Sequence, residues 1–202
     1  MTRGRLTRLG RKALAKRGDQ KRQQLLAAAA NRFWRYGYGS TSLADIAKDA
    51  SVPLGNVYYY FRTKQDIAVG VADIFVAETQ GMLEEVAEAE ADPRRRVLGL
   101  LRRLSQSSRS RVAHGCPIAL AVRDFRSEAP KASARAAESF ELLTGFIGRE
   151  LQRTGSRPSV ALAKAREIVV EWQGGISLAH ALGDPTVLAE SFRRAEQRLV
   201  QV

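Results

Sequence analysis

Residues 51–67, SVPLGNVYYYFRTKQDI, set Tyr58, Tyr59, Tyr60 and Phe61 in unbroken succession. At helical spacing four consecutive rings point to every side, so they cannot all enter one core. A phenol on an exposed helix face offers its hydroxyl to a phosphate and its ring to a sugar or a thymine methyl. HGCPIALAV, residues 114–122, is the other stretch with reactive groups. His114 and Cys116 could serve as base and nucleophile, yet no third group is in view to orient them. A single Cys opening an apolar helix usually packs as a small hydrophobe. A redox-sensing thiol at Cys116, with Arg111 close in sequence, is the alternative. Two His and one Cys provide no metal-ligand spacing. The expectation is no catalytic residue, no metal, no cofactor and no enzyme.

The chain has 202 residues, 45% of them apolar, which is enough for a core and too apolar for a disordered chain. One cysteine excludes an intrachain disulfide and suggests a reducing, cytoplasmic setting. No apolar run approaches membrane-spanning length, and no apolar stretch follows the basic N-terminus as in a secretory signal. The +12 charge is unevenly placed. Residues 1–22 hold nine Lys and Arg against Asp19 alone, or +8, which leaves a nearly balanced remainder. A solvated solubility segment, a membrane-surface contact and a nucleic-acid arm could each carry such a tail. It lacks the apolar face of an interfacial helix.

The elements that must position these groups all read as helices, and the fold class is all-α. Residues 21–36 carry Leu25, Leu26, Ala29 and Phe33 at three- and four-residue spacing, and Gly37 and Gly39 end the pattern. STSLADIAKDA then begins with a cap at Thr41 or Ser42 and makes a short stripe of Leu43, Ile46 and Ala47. After a break holding Pro53 and Gly55 comes the tyrosine segment, residues 54–60. Thr63 caps a helix predicted over 64–91. Further helices are predicted over 94–109, 117–127, 131–154, 160–182 and 186–200, with a polar break between Arg109 and Pro117. Two short helices across a tight turn make a helix-turn-helix, whose second helix enters the major groove. Val57 and Phe61, four apart, face the core with Ile46 and Phe33. Tyr59 and Tyr60 face outward, Tyr58 is intermediate, Gly55 lets the backbone approach closely, and Asn56 can pair with adenine.

The run TSLADIAKDASVPLGNVYYYFRTKQDI, extended back through LLAAAANRFWRYGYGSTS, resembles the signature of the TetR family of bacterial transcriptional regulators. The shared pattern is a capped Thr-Ser start, Ile-Ala in the supporting helix, Gly-x-x-Tyr-x-x-Phe, and Lys shortly after. The resemblance implies an N-terminal three-helix DNA-binding domain and a larger C-terminal helical domain for dimerisation and effector binding. Their expected limits are a basic arm at 1–20, the helix-turn-helix domain at 21–63 and the helical domain at 64–202. It further implies that Thr41, with Ser42 beside it, touches phosphate, and that Leu54, Gly55 and Asn56 face bases. Tyr58, Tyr59 and Tyr60 would hold backbone or neighbouring bases, and Lys64 a phosphate. The family often has His where Tyr60 stands, which lengthens the reach of that contact. In the arm, Arg3 and Arg5 could enter a minor groove, or the arm could add nonspecific affinity alone.

The larger domain is less legible. The two long helices ending at Thr154 and Leu182 suit an antiparallel pair, which the resemblance places at a two-fold dimer interface. Gly174-Gly175 there allow either close helix approach or a kink. Candidate effector-pocket residues are Phe75, Met82, Leu104, Cys116, Leu120, Phe140, Leu143, Phe146 and Trp172. His114, Arg123 and Gln173 are the polar groups available to anchor an apolar or aromatic effector. The expected function is a homodimeric, sequence-specific regulator, a repressor released from a palindromic DNA operator by a small molecule, with no membrane partner. The alternatives are an architectural DNA-binding protein without effector and a thiol sensor using Cys116.

Overall fold

All six prolines mark helix starts. Pro93, Pro117, Pro130, Pro158 and Pro185 are each the first residue of a helix, where the missing N–H costs nothing, and Pro53 is the N-cap of another. A computed structural model describes residues 8–200, with side chains for 18–199. Among these residues ten α-helices and no strand occur: α1 Arg8–Tyr36, α2 Leu43–Asp49, α3 Leu54–Tyr60, α4 Lys64–Ala89, α5 Pro93–Ser105, α6 Ser108–His114, α7 Pro117–Phe125, α8 Pro130–Arg153, α9 Pro158–Leu182 and α10 Pro185–Val200.

Caps fix the ends that matter. Ser42 and Asp45 form a capping box on α2, and Thr63 and Asp66 form one on α4. Gly37, at φ +83°, ends α1 as its sequence position foretold. Two elements differ from expectation. α1 starts at Arg8 rather than Lys21, because Leu, Ala, Lys and Arg between them are good helix formers that override Gly10 and Gly18. The helix expected over 94–109 breaks at Gln106–Ser107, and α6 occupies the supposed polar break. The serine run explains this. The hydroxyls of Ser105, Ser107 and Ser108 donate back to the carbonyls of Arg102, Leu104 and Ser105, competing with helical bonding. Gly115, at φ +75°, then ends α6.

Two cores result. The first joins Leu25, Leu26 and Phe33 of α1 to Ile46, Val57 and Phe61, and also takes in Ile67 and Val71 of α4, Phe125 of α7 and Ala132 of α8. The second gathers Leu100, Leu143, Ile147, Trp172, Ile176 and Phe192 from α5, α8, α9 and α10. α4 contributes to both, through Ile67 and Val71 to one and Leu83 to the other. α9 and α10 meet tightly at Gly175, where a methyl group would collide with Ser191, whose hydroxyl donates to Glu171 O. Gly174, beside it, faces open space. Close approach therefore belongs to Gly175 and is internal to the chain.

Candidate nucleic-acid interface

α3 is seven residues long, too short to be stable alone, so its orientation comes from what it buries. Val57 and Phe61 are buried in the first core, as their four-residue spacing requires. Pro53 leads in, and the preceding turn holds Ser51 at φ +53°, a left-handed conformation that a non-glycine residue adopts at a cost. On the outer face Tyr59 is 82% exposed, Tyr58 55% and Leu54 41%. A methyl at Gly55 would meet nothing within 4 Å among the described residues. No internal packing therefore calls for glycine there, although glycine weakens a helix by roughly 1 kcal/mol.

The tyrosines are allotted differently from expectation. Tyr60, expected outward, is the half-buried one. Its hydroxyl lies near Gly18 of α1, and its ring meets Tyr59 edge to face at 4.9 Å. Tyr58, expected intermediate, is exposed. The rotation follows from α1, whose N-terminal part passes the end of α3 and covers position 60 rather than 58. Arg22 of α1 extends over the Phe61 ring, 5.3 Å from its centroid, so a cation stands beside the end of α3.

Three expected phosphate contacts are otherwise engaged. Thr41 is 2% exposed, and its hydroxyl donates to Gly37 O at 2.9 Å, capping the end of α1. Its side chain is a piece of the α1–α2 turn. Ser42 is exposed, but its hydroxyl donates to Asp45 Oδ2 and accepts from the Asp45 N–H, which leaves its proton committed to the cap. Lys64 donates to Tyr38 O at 3.0 Å and Thr41 O at 3.1 Å and sits over the Tyr38 ring. It straps the α1–α2 turn to α4. Arg3 and Arg5 lie outside the described residues. α2 is held against α1 by Arg32, which pairs with Asp49 at 2.9 Å and Asp45 at 3.4 Å. The hydrogen bond to Asp49 raises the guanidinium pKa, and hydrogen bonds from Ser42 lower that of Asp45. These acids, which would repel a polyanion, are thereby partly neutralised.

The pocket candidates fall into several places. Leu104, Cys116, Leu143, Phe146 and Trp172 are buried in the second core, with Met82 and Phe140 packed against it. Phe75 packs against the first core instead, and Leu120 lies beside Gly115. Cys116 Sγ accepts from Gln173 at 3.3 Å and Arg111 at 3.6 Å, while the His114 ring packs edge-on against Trp34. No hydrogen bond joins Cys116 to His114 among the described residues.

Trp34 is a further residue that joins the two helical units. Its indole N–H donates to the carbonyls of His114 and Gly115 at 3.2 and 3.1 Å, tying the end of α1 to the end of α6. The available signal was a tryptophan just off the apolar stripe of α1, since a tucked-in indole needs an acceptor.

A short supporting helix, a tight turn and an aromatic second helix with one face bare define a helix-turn-helix DNA-binding protein with a second helical unit attached. The chain belongs to the TetR family. Residues 25–71 match the family described as bacterial regulatory proteins, tetR family, and residues 95–193 match the transcriptional regulator LmrA/YxaF-like C-terminal domain. It is 25% identical to the HTH-type transcriptional regulator LmrA of Bacillus subtilis, over 85% of this chain and 92% of that one. To TtgR of Pseudomonas putida it is 34% identical over 43% of this chain and 40% of that one. Among solved structures, a TetR-family transcriptional regulator from Streptomyces coelicolor superposes with a TM-score of 0.80 at 19% identity, covering 91% and 95% of the two chains. The chain is thus a DNA-binding transcriptional regulator, of a family whose members are typically repressors and typically respond to an effector. No helix among the described residues is long and apolar enough to cross a membrane.

Proposed function

We propose that the protein is a homodimeric repressor that grips a palindromic operator through α3 and is released by a small molecule bound in its second helical unit. The carrying observation is the outer face of α3: Leu54, Tyr58 and Tyr59 are exposed around an unencumbered Gly55, on a helix held from behind by Val57 and Phe61. In the groove, Leu54, Gly55 and Asn56 would meet base edges, and the two phenols would meet sugar-phosphate. The dimer face would be the outward side of α9, where Val170, Leu178 and Leu182 are 69%, 52% and 64% exposed around Gly174. A two-fold axis there sets the spacing of the two reading helices, and through it the half-site spacing.

Selection of bound sequences from a random duplex pool tests this, with wild type beside an Asn56→Ala, Tyr59→Ala variant. The expected result is a palindromic site that the variant relaxes or loses. Absence of an enriched site at moderate salt would leave a nonspecific, architectural binder. Binding to the selected duplex should weaken with salt at a slope of about 0.9 per phosphate contact.

A further inference from the structure

Arg111 of α6 is a partly buried guanidinium without a carboxylate partner among the described residues. Its neighbours are neutral. Nε donates to Ser107 Oγ at 2.7 Å, Nη1 lies 3.6 Å from Cys116 Sγ, and the group sits over the Trp172 ring at 5.3 Å. Trp172 is buried, and its own indole N–H lacks an acceptor among the described residues. Arg111 and Ser107 line a groove of about 520 Å³ between α4, α5 and α6, to which Met82 and Leu104 contribute apolar surface. The other charged groups facing it are Glu78, Glu85 and Arg103. Glu85 is taken by Arg103 at 3.4 Å. Glu78 is exposed and makes no ion pair among the described residues. Of the two cations lining the groove, Arg103 is paired with Glu85, and Arg111 is the one with no carboxylate within ion-pair distance among the described residues. A partly buried guanidinium whose contacts are neutral has donors to offer a ligand oxyanion at the groove wall.

The geometry points to this groove as a binding site for a small organic anion with an apolar or aromatic body, its carboxylate or comparable oxyanion paired with Arg111 and its body along Met82 and Leu104. This rests on the effector reading above and adds the chemistry of the effector and the residue that recognises it. Arginine suits the task, since its fork pairs with a carboxylate through two parallel hydrogen bonds. The site also lies on the path to DNA. Arg111 O accepts the Gly115 N–H at 2.7 Å, and the neighbouring carbonyls of His114 and Gly115 hold Trp34 of α1. From the other side His180 Nδ1 of α9 lies 2.9 Å from Val112 O. A ligand that draws Arg111 into the groove loads the same short helix that secures the DNA-binding unit.

The test is calorimetric titration of the full chain with 2-naphthoate and, separately, the neutral 2-naphthamide. The proteins are wild type, Arg111→Met, and Arg103→Met as a control in the same groove. Wild type should bind the carboxylate at least about tenfold more tightly than the amide, the scale of one hydrogen-bonded charge pair. Arg111→Met should lose that preference, and Arg103→Met should keep it. Equal affinity of wild type for the two compounds, including no measurable binding of either, overturns the proposal without reference to any variant's folding. Retention of the preference in Arg111→Met, with its circular dichroism unchanged, overturns it too. Operator titrations of the same proteins separate the two readings. If no operator is bound, the proposed function fails while the carboxylate preference stands. If operator is bound without the preference, only the anion site fails.

Discussion

Adjacent glycines on α9 should respond oppositely to the same substitution. A Cβ built at Gly175 falls well inside van der Waals distance of both Oγ and Cβ of Ser191, whereas one at Gly174 has nothing within 4 Å. Ser191 Cβ is fixed to the α10 backbone, so no rotamer change relieves the contact. Ordinary carbon–carbon contact is about 3.5–4.0 Å, so α10 must retreat by roughly 1 Å. That loosens Leu188 and Phe192 against Trp172 and Ile176 in the second core. Overpacking of this kind costs about 1–3 kcal/mol. At about 2–4 °C per kcal/mol for a chain of this size, Gly175→Ala should lower Tm by about 2–12 °C. Gly174→Ala removes a flexible residue from a helix interior, a gain of roughly 0.5–1 kcal/mol, and should raise Tm by a few degrees.

The assay is thermal unfolding followed by circular dichroism, with sedimentation run in parallel, because Gly174 lies on the face assigned above to the dimer. A weakened dimer in Gly174→Ala with normal helix content would mark that face as the interface. Adding Ser191→Gly to Gly175→Ala deletes the colliding atoms and should recover part of the loss. It cannot recover all, because the bond from Ser191 to Glu171 O goes with it. An unchanged or raised Tm for Gly175→Ala would refute the packing of α9 on α10.

Ser51→Gly relieves the left-handed residue in the turn before α3 and should raise stability by about 0.5–1 kcal/mol, read as a higher Tm with operator affinity unchanged. Thr41→Val strips a buried hydroxyl from Gly37 O and should cost about 1 kcal/mol, while the salt dependence of DNA binding stays that of wild type; a shallower slope would restore the phosphate contact. Tyr38 is fully buried, and burial pushes its phenol pKa up to about 12 from 10.0. Its unfolded form ionises first, so the stability is intact below pH 10 and falls by roughly 2 kcal/mol as pH rises towards 12. Denaturant titrations across that window should show the loss in wild type and a shallower one in Tyr38→Phe. Trp34→Phe should free the end of α6, raising amide exchange at Gly115 while protection of α2 and α3 is kept; equal protection at Gly115 would deny the tie.

What could be foreseen depended on whether a local signal decided the outcome. Each proline fixes φ and disfavours helix in the residue before it, so helix starts were legible to within a few residues. The spacing of Val57 and Phe61 fixed the inner face of α3 because a helix has only one phase. The phase alone does not say which outer position a neighbouring helix covers, and α1, longer than its apolar stripe implied, covers Tyr60 instead of Tyr58. Thr41, Ser42 and Lys64 show a second limit. The family pattern assigns these types to phosphate, yet caps and turns use the same donors, and only the folded turn reveals that Gly37 O, Asp45, Tyr38 O and Thr41 O take them first. Arg111 illustrates a third. In a serine-arginine run it looks like any solvated cation, and its lack of a counter-charge is a property of three helices meeting.

The same distribution of rings shows how so small a helix is held in one orientation. Of the four consecutive aromatics, Phe61 is buried, Tyr60 is half-buried against α1, and Tyr58 and Tyr59 are exposed. With Val57 beneath and Pro53 ahead, α3 is held at its start and along its inner face, so on the proposed reading the two exposed phenols need not lose backbone freedom on binding. It follows that Val57→Ala and Tyr59→Ala should both weaken operator binding, but by different routes. The first removes two buried methyl groups, lowers Tm, and frees α3 to sample other angles. The second removes contact from a side chain that touches little else within the chain, so Tm should hold while affinity falls. If Val57→Ala kept full affinity despite a lower Tm, preorganisation of α3 would not be what the inner face provides.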